Sequence, residues 1–105
     1  MAIDTIILVR VFHLLVDRAI EVTTTGGVSV RAWWTVGRLM IAVEDEGPWI
    51  APKDIPGLFA ETSPDYVLRQ AARLTQRMDG VLTATNEGRQ KGLCVILRVP
   101  VETPN

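Results

Sequence analysis

The stretch LMIAVEDEGPWIAPKDIPGLF, residues 39–59, decides the fold because it joins a buried strand to an unusual loop. Leu39, Ile41 and Val43 fall on one side of an extended chain, which is the pattern of a strand with one covered face. An acid–Gly–Pro turn follows, and three prolines fall within nine residues. We therefore expect a loop without any regular element. The question is whether this loop binds a ligand.

The segment before this stretch predicts a long amphipathic helix over residues 3–22. Its polar side chains recur at spacings of three and four and form one stripe: Arg10, His13, Asp17 and Glu21. Apolar side chains cover about half of the helix circumference, which is more than packing on one sheet face requires. The charges within it and the missing basic leader argue against a signal peptide or membrane insertion. The sequence TTTGG, residues 23–27, is expected to end the helix with a left-handed glycine.

Four strands and a second helix follow from local patterns. VSVRAWW (28–34) and LMIAVED (39–45) predict one strand pair, and VLTATNE (81–87) and LCVILRV (93–99) predict another around the turn GRQKG. Trp33 and Trp34 point to opposite faces, so one of them is expected at the surface or at an interface. The second helix is expected to begin with Ser63 as its N-cap and Pro64 at its first position, and to end at Gly80.

The order of these elements is αββαββ. Strands joined by short turns favour hairpins, so we expect an α+β fold: a two-layer α/β sandwich with a mixed or antiparallel four-stranded sheet and both helices on one face. Residues 1–101 would form this single domain, and residues 102–105 a frayed tail.

Composition narrows the possible functions. The 105 residues are 48% hydrophobic, enough for a core, and the net charge of −1 gives no basic field for nucleic acid. Cys94 is the single cysteine, so an internal disulfide is impossible and a reducing, cytoplasmic environment fits. The sequence shows no metal-ligand cluster, phosphate loop or nucleophile triad.

Three stretches together resemble the ATP-binding domain of sensor histidine kinases, whose fold is shared with gyrase B, MutL and a heat-shock chaperone. DTIILVRVFHLLVDRAIEVTTTGG is similar to the helix that carries the family's Asn box, and IAVEDEGPWIAPKDIPGLF is similar to its Asp–Gly loop. DYVLRQAARLTQRMDGVLTATNEGRQKGLCVILRVP is similar to the last helix and strand pair. The resemblance covers nearly the whole chain. The family's opening β segment, which precedes the Asn-box helix, has no counterpart in this sequence.

The resemblance places the metal and adenine half of the nucleotide site at five residues. The Asn that binds magnesium falls at Arg18, which cannot ligate a cation, and the preceding box Asn falls at Leu14. The aspartate that accepts from the adenine amino group is kept as Asp45, and the following glycine as Gly47. The next glycine falls at Trp49, which either plugs the core or fills the vacated adenine or ribose space.

The phosphate half is changed more thoroughly. The family's phosphate-binding glycine pair falls at Asp65 and Val67, and a carboxylate at the start of a helix repels phosphate. The late Gly–Thr pair reads Gly92–Leu93. The lid, residues 48–64, is short and stiffened by proline. No cofactor is therefore expected, although weak adenine nucleotide binding is an alternative.

Three functions remain open at this point. The first is a degenerate, non-catalytic domain that acts by protein contact in bacterial signalling. The second is a residual adenine-nucleotide-binding ATPase or kinase domain, or a fragment of a sensor histidine kinase. The third is an unrelated interaction domain with the same element order. A homodimer or a partner protein is expected at the outer face of the first helix or at the sheet edge, and Arg18 is expected to pair with Asp45, Glu46 or Asp65.

Overall fold

The computed structural model describes residues 4–86 and 92–101. It contains two α-helices, α1 (Thr5–Val22) and α2 (Tyr66–Gln76), and four strands, β1 (Ser29–Thr35), β2 (Arg38–Glu44), β3 (Val81–Thr85) and β4 (Cys94–Pro100). The predicted order αββαββ is therefore confirmed. The expected helix start at Ile3, the turn at residues 88–91 and the tail at residues 102–105 lie outside the described residues.

The four strands form one sheet in the order β1-β2-β4-β3, and each neighbouring pair is antiparallel. Leu39, Ile41 and Val43 of β2 lie opposite Val99, Leu97 and Val95 of β4, so these residues share one face. Both helices pack on that face, and their buried side chains join the strands in a single core: Val11, Leu15 and Ala19 from α1, and Leu68 and Ala71 from α2. The two-layer α+β sandwich is confirmed, with a purely antiparallel sheet.

β1 forms an edge of the sheet and is exposed along its whole length. Trp34 lies opposite Leu39 and so shares the core face, yet 67% of it is exposed because neither helix extends over β1. Trp33, on the other face, is 37% exposed under the guanidinium of Arg31, 5.7 Å from its ring centre. Both tryptophans are thus at the surface, whereas alternation alone required only one.

Two expected details are wrong for local reasons, whereas Gly80 closes the end of α2 as expected. α1 ends at Thr23 in an extended conformation, and the left-handed glycine is Gly26, three residues later. At the end of α2, Asp79 takes the left-handed conformation, and the Gly80 N–H closes the turn on the Thr75 carbonyl at 3.0 Å. The lid also contains one turn of 3-10 helix, Pro52–Asp54, because proline is tolerated at the start of such a turn.

The lid is folded back onto the domain. Four of its apolar side chains pack against the core: Ile50, Ile55, Leu58 and Phe59. Neither helix in the described part of the chain has the length and apolar character that a membrane crossing requires. Cys94 is buried, as expected for a small core residue.

Candidate functional site: a charge network at the predicted nucleotide pocket

Asp45 follows the last residue of β2 and is only 2% exposed. Its N–H donates to the carbonyl of Leu93 at 3.0 Å. Its Oδ1 atom accepts from the N–H groups of Gly47, at 2.9 Å, and Leu93, at 3.2 Å. These bonds hold the carboxylate between the end of β2 and the start of β4, so its orientation is set by the sheet.

Arg18 brings a positive charge to this carboxylate. It lies on the buried side of α1, one turn beyond Leu15, and is 9% exposed. Its Nη1 atom is 3.2 Å from Asp45 Oδ2, and its Nε atom donates to Asp65 Oδ2 at 2.8 Å. The guanidinium thus lies between two carboxylates. The predicted pairing of Arg18 is confirmed with both aspartates, whereas the third candidate, Glu46, bonds to a backbone N–H group elsewhere.

Asp65 is the N-cap of α2 and not, as expected, a residue of its first turn. Its Oδ1 atom accepts from the Leu68 N–H at 3.0 Å, while Oδ2 is left for Arg18. Ser63, predicted as the cap, is buried instead, and its Oγ accepts from the Asp65 N–H at 3.1 Å. Pro64 therefore lies before the helix. Asp65 displaces Ser63 as the cap because its two carboxylate oxygens satisfy both the helix and the arginine.

Glu46 has a separate role that the sequence did not reveal. Its N–H donates to Thr23 Oγ1 at 3.1 Å, and its Oε2 atom accepts from the Gly27 N–H at 2.5 Å. Gly26 has a φ of 98°, and a Cβ at this position would overlap the Glu46 carboxylate. Glu46 therefore connects the loop after α1 to the Asp45 loop by two hydrogen bonds. The missing side chain of Gly26 leaves space for the Glu46 carboxylate. No sequence signal links these residues, which lie in different loops.

Gly47 is retained for a packing reason that does not involve a ligand. A Cβ at this position would lie 2.7 Å from both the Cγ2 and the carbonyl oxygen of Val22. The close approach lets the Asp45 loop rest on the last residue of α1. Gly47 alone is therefore no sign of a nucleotide site.

Trp49 does not plug the core, and the other interpretation, that it fills the vacated adenine or ribose space, stays a prediction. It is 49% exposed, and it is not one of the side chains packed against the core, a place taken by its neighbour Ile50. The Ile50 carbonyl accepts a hydrogen bond from the side-chain amide of Asn86, which is buried just after β3. Asn86 is a second residue, after Glu46, whose hydrogen bond to another loop the sequence did not reveal. A polar residue at the end of a strand carries no distinctive sequence signal.

The remaining predicted positions are structural. Leu14 is half-buried against the core, and Leu93 is 1% exposed within it. Gly92 has a φ of 86°, so it allows the chain to turn into β4. Val67 lies half-buried in the first turn of α2. Of the nine predicted positions, the structure joins five through hydrogen bonds: Arg18, Asp45, Gly47, Asp65 and Leu93.

These residues do not fit a magnesium nucleotide. A cation would meet the guanidinium of Arg18, and both oxygens of Asp45 already have partners. A phosphate at the start of α2 would meet the Asp65 carboxylate, which already accepts from the Leu68 N–H. Among the described residues, no group of three or more His, Cys, Asp or Glu side chains is arranged to hold a metal ion.

His13 of the predicted polar stripe and the arginines of α2 form ordinary surfaces. His13 is exposed, with its ring tilted against Phe12 at 6.2 Å. Arg73 is exposed and lies 3.4 Å from the exposed Glu61, and Arg69 lies over the Tyr66 ring at 5.5 Å. This is the arrangement of a solvated helix face.

Comparison with known proteins agrees with the fold. The sequence model of the histidine kinase-, DNA gyrase B- and HSP90-like ATPases matches residues 3–103. No curated protein gives a significant match to the sequence.

Solved structures share the fold. The catalytic domain of the histidine kinase ThkA aligns with a TM-score of 0.82 at 22% identity, over 98% of this chain and 71% of that chain. The mycobacterial sensor histidine kinase MprB gives 0.80 at 22%, over 96% and 74%. Full-length ShkA, solved in complex with AMPPNP, gives 0.79 at 24%, over 93% of this chain, which spans 22% of ShkA.

Proposed function

This chain belongs to the family of histidine kinase-, DNA gyrase B- and HSP90-like ATPases, and we propose that it is a degenerate member that performs no phosphoryl transfer. It acts instead through contacts with other proteins in bacterial signal transduction. Its place of action is the cytoplasm, where the buried Cys94 stays reduced.

One observation carries this proposal: the Arg18 guanidinium lies between Asp45 and Asp65. It places a positive charge where the family holds a metal ion. It also engages the Asp45 oxygen that would otherwise be available to an adenine amino group. Displacing it would break two ion pairs at once, so a nucleotide must compete against an existing network.

The signalling role is supported by the kind of protein that shares the fold. The three solved structures compared above are histidine kinases. A domain that keeps this fold and loses its nucleotide contacts can still present the surfaces through which such domains meet other proteins. Fold does not fix function, so this support is an analogy, whereas the loss of nucleotide binding is tested directly.

Calorimetric titration of the purified chain with ATP and ADP, each with and without Mg²⁺, tests the proposal. We expect no binding at millimolar nucleotide. As the matched comparison, the double variant Arg18→Asn/Asp65→Gly removes both obstructing charges, and we expect it to bind Mg-ATP more tightly than the wild type. A millimolar or tighter dissociation constant for the wild type that improves with Mg²⁺ would overturn the proposal. Binding of ADP without Mg²⁺ would favour the alternative, a surviving adenine half-site at Asp45.

A further inference from the structure

The outer face of α1 carries a second apolar stripe that is mostly exposed, although its half-buried member Val16 also packs against the core. Its members recur at spacings of three and four residues: Ile6, Val9, His13, Val16 and Ile20. Ile6 is 81% exposed, Val9 50% and Ile20 58%. At 100° per residue this stripe lies opposite the buried face formed by Val11, Leu15 and Ala19.

The spacing of the outer stripe is that of a helix that pairs with another helix. Apolar residues alternating three and four apart form the a and d positions of a heptad, with Ile6, His13 and Ile20 at a and Val9 and Val16 at d. His13 is the single polar member, at the centre. An exposed helix face of this kind is uncommon on a monomer and marks an interface.

The charges beside the stripe indicate what occupies it. Arg10 and Asp17, both exposed, lie seven residues apart on the same flank, while the other flank leads through the half-buried Phe12 to the buried Ala19 and carries no charge. In an antiparallel pair related by a two-fold axis, each flank faces the same flank of the other copy. Arg10 then lies beside Asp17 of the second copy, and the pair occurs twice.

A parallel pair gives no such match, because the charged flank would face the uncharged one. We therefore propose that the chain forms a homodimer in which the outer stripe of α1 packs antiparallel against the same stripe of a second copy, with two Arg10–Asp17 pairs between copies. The proposal depends on α1 alone and is independent of whether any nucleotide binds.

Sedimentation equilibrium of the full chain, from low micromolar to near-millimolar concentration, measures the dimer. We expect a reversible monomer–dimer equilibrium. Ile20→Lys should weaken it by about tenfold or more, which corresponds to ~1.4 kcal/mol. A lysine in the last turn suits the helix dipole, so the fold is retained. Val36→Lys, at a fully exposed apolar residue between β1 and β2, is the matched control and should leave the dimer unchanged.

Charge reversal tests the antiparallel arrangement without touching the apolar stripe. Arg10→Asp and Asp17→Arg should each weaken the dimer, and the double variant Arg10→Asp/Asp17→Arg should restore it. A monomer at every concentration would overturn the proposal, and so would a dimer that survives Ile20→Lys but is lost on Trp34→Asp in the edge strand. Failure of the double variant to restore the dimer would overturn the antiparallel arrangement. Circular dichroism of each variant verifies that it is folded.

Discussion

At the scale of single residues, the proposed loss of nucleotide binding depends on Arg18. Its side chain is 10% exposed and contacts two carboxylates, one of which is itself 3% exposed. A buried ion pair of this kind gives little net stability over an apolar replacement, but removing one partner leaves buried charge without compensation. The network is therefore stable as it stands and costly to open, which is the physical reason for expecting it to exclude a nucleotide.

Arg18→Ala should lower the free energy of unfolding by about 3 kcal/mol, because it removes the guanidinium that lies between the Asp45 and Asp65 carboxylates. Arg73→Ala is the matched control. It removes an arginine from an ion pair with Glu61 whose side chains are 64% and 72% exposed, so the change should stay within about 0.5 kcal/mol. Urea denaturation followed by circular dichroism measures both, and equal losses would contradict a buried network.

At the scale of elements, the two helices begin with the same residue type in different surroundings. Asp4 caps α1 at an exposed site and accepts from the Ile7 N–H at 3.1 Å. Asp65 caps α2 in the same way and also bonds to Arg18. The N-terminus of α2 is thereby fixed against α1, so the two helices share one electrostatic contact besides their apolar packing.

This difference yields a direct comparison of two caps. Asp4→Ala should cost about 1 kcal/mol, the usual value of an N-cap, whereas Asp65→Ala should cost more, about 2–3 kcal/mol, because it also removes a carboxylate from Arg18. Asp65→Asn keeps an oxygen for the Leu68 N–H and should fall between them. Chemical denaturation of the three variants gives the ranking. If Asp65→Ala lowered the free energy of unfolding no more than Asp4→Ala, the Arg18–Asp65 contact would contribute nothing to stability.

At the scale of the whole molecule, the strands of the sheet differ in how far they are buried from solvent. β4 lies between β2 and β3 and buries four of its residues, whereas β1 pairs only with β2 and is exposed throughout. An exposed edge strand is also a surface on which another chain can add a strand. The stability of the domain is therefore concentrated at β2, β4 and the two helices.

Hydrogen exchange followed by NMR should show this gradient. We expect the β1 amides that bond to β2 to exchange about tenfold or more faster than those of β4, because the edge strand can open without exposing the core. Exchange should be measured at a low micromolar and at a higher protein concentration, because a difference between the two would reveal association. Equal protection of β1 and β4 would contradict the expectation and would show that another chain covers the edge.

The sequence by itself determined the order of elements, and through the family resemblance it indicated an arginine at the position of the metal ligand. Periods of two and of three to four residues are local properties, so the strands and both helices could be placed from their own side chains. Arginine offers only donors and a positive charge in any environment, so its presence at residue 18 is informative whatever surrounds it.

Tertiary structure alone decided which carboxylates pair with Arg18 and that Trp34 of the edge strand β1 is exposed. Asp45 lies 27 residues from Arg18 and Asp65 47 residues away, and both contacts exist because α1 packs beside α2 over the ends of β2 and β4. The same packing made Asp65 the cap in place of Ser63 and left Trp34 beyond the helices. Local sequence patterns cannot predict these contacts, because the contacts depend on how elements far apart in the chain pack into one core.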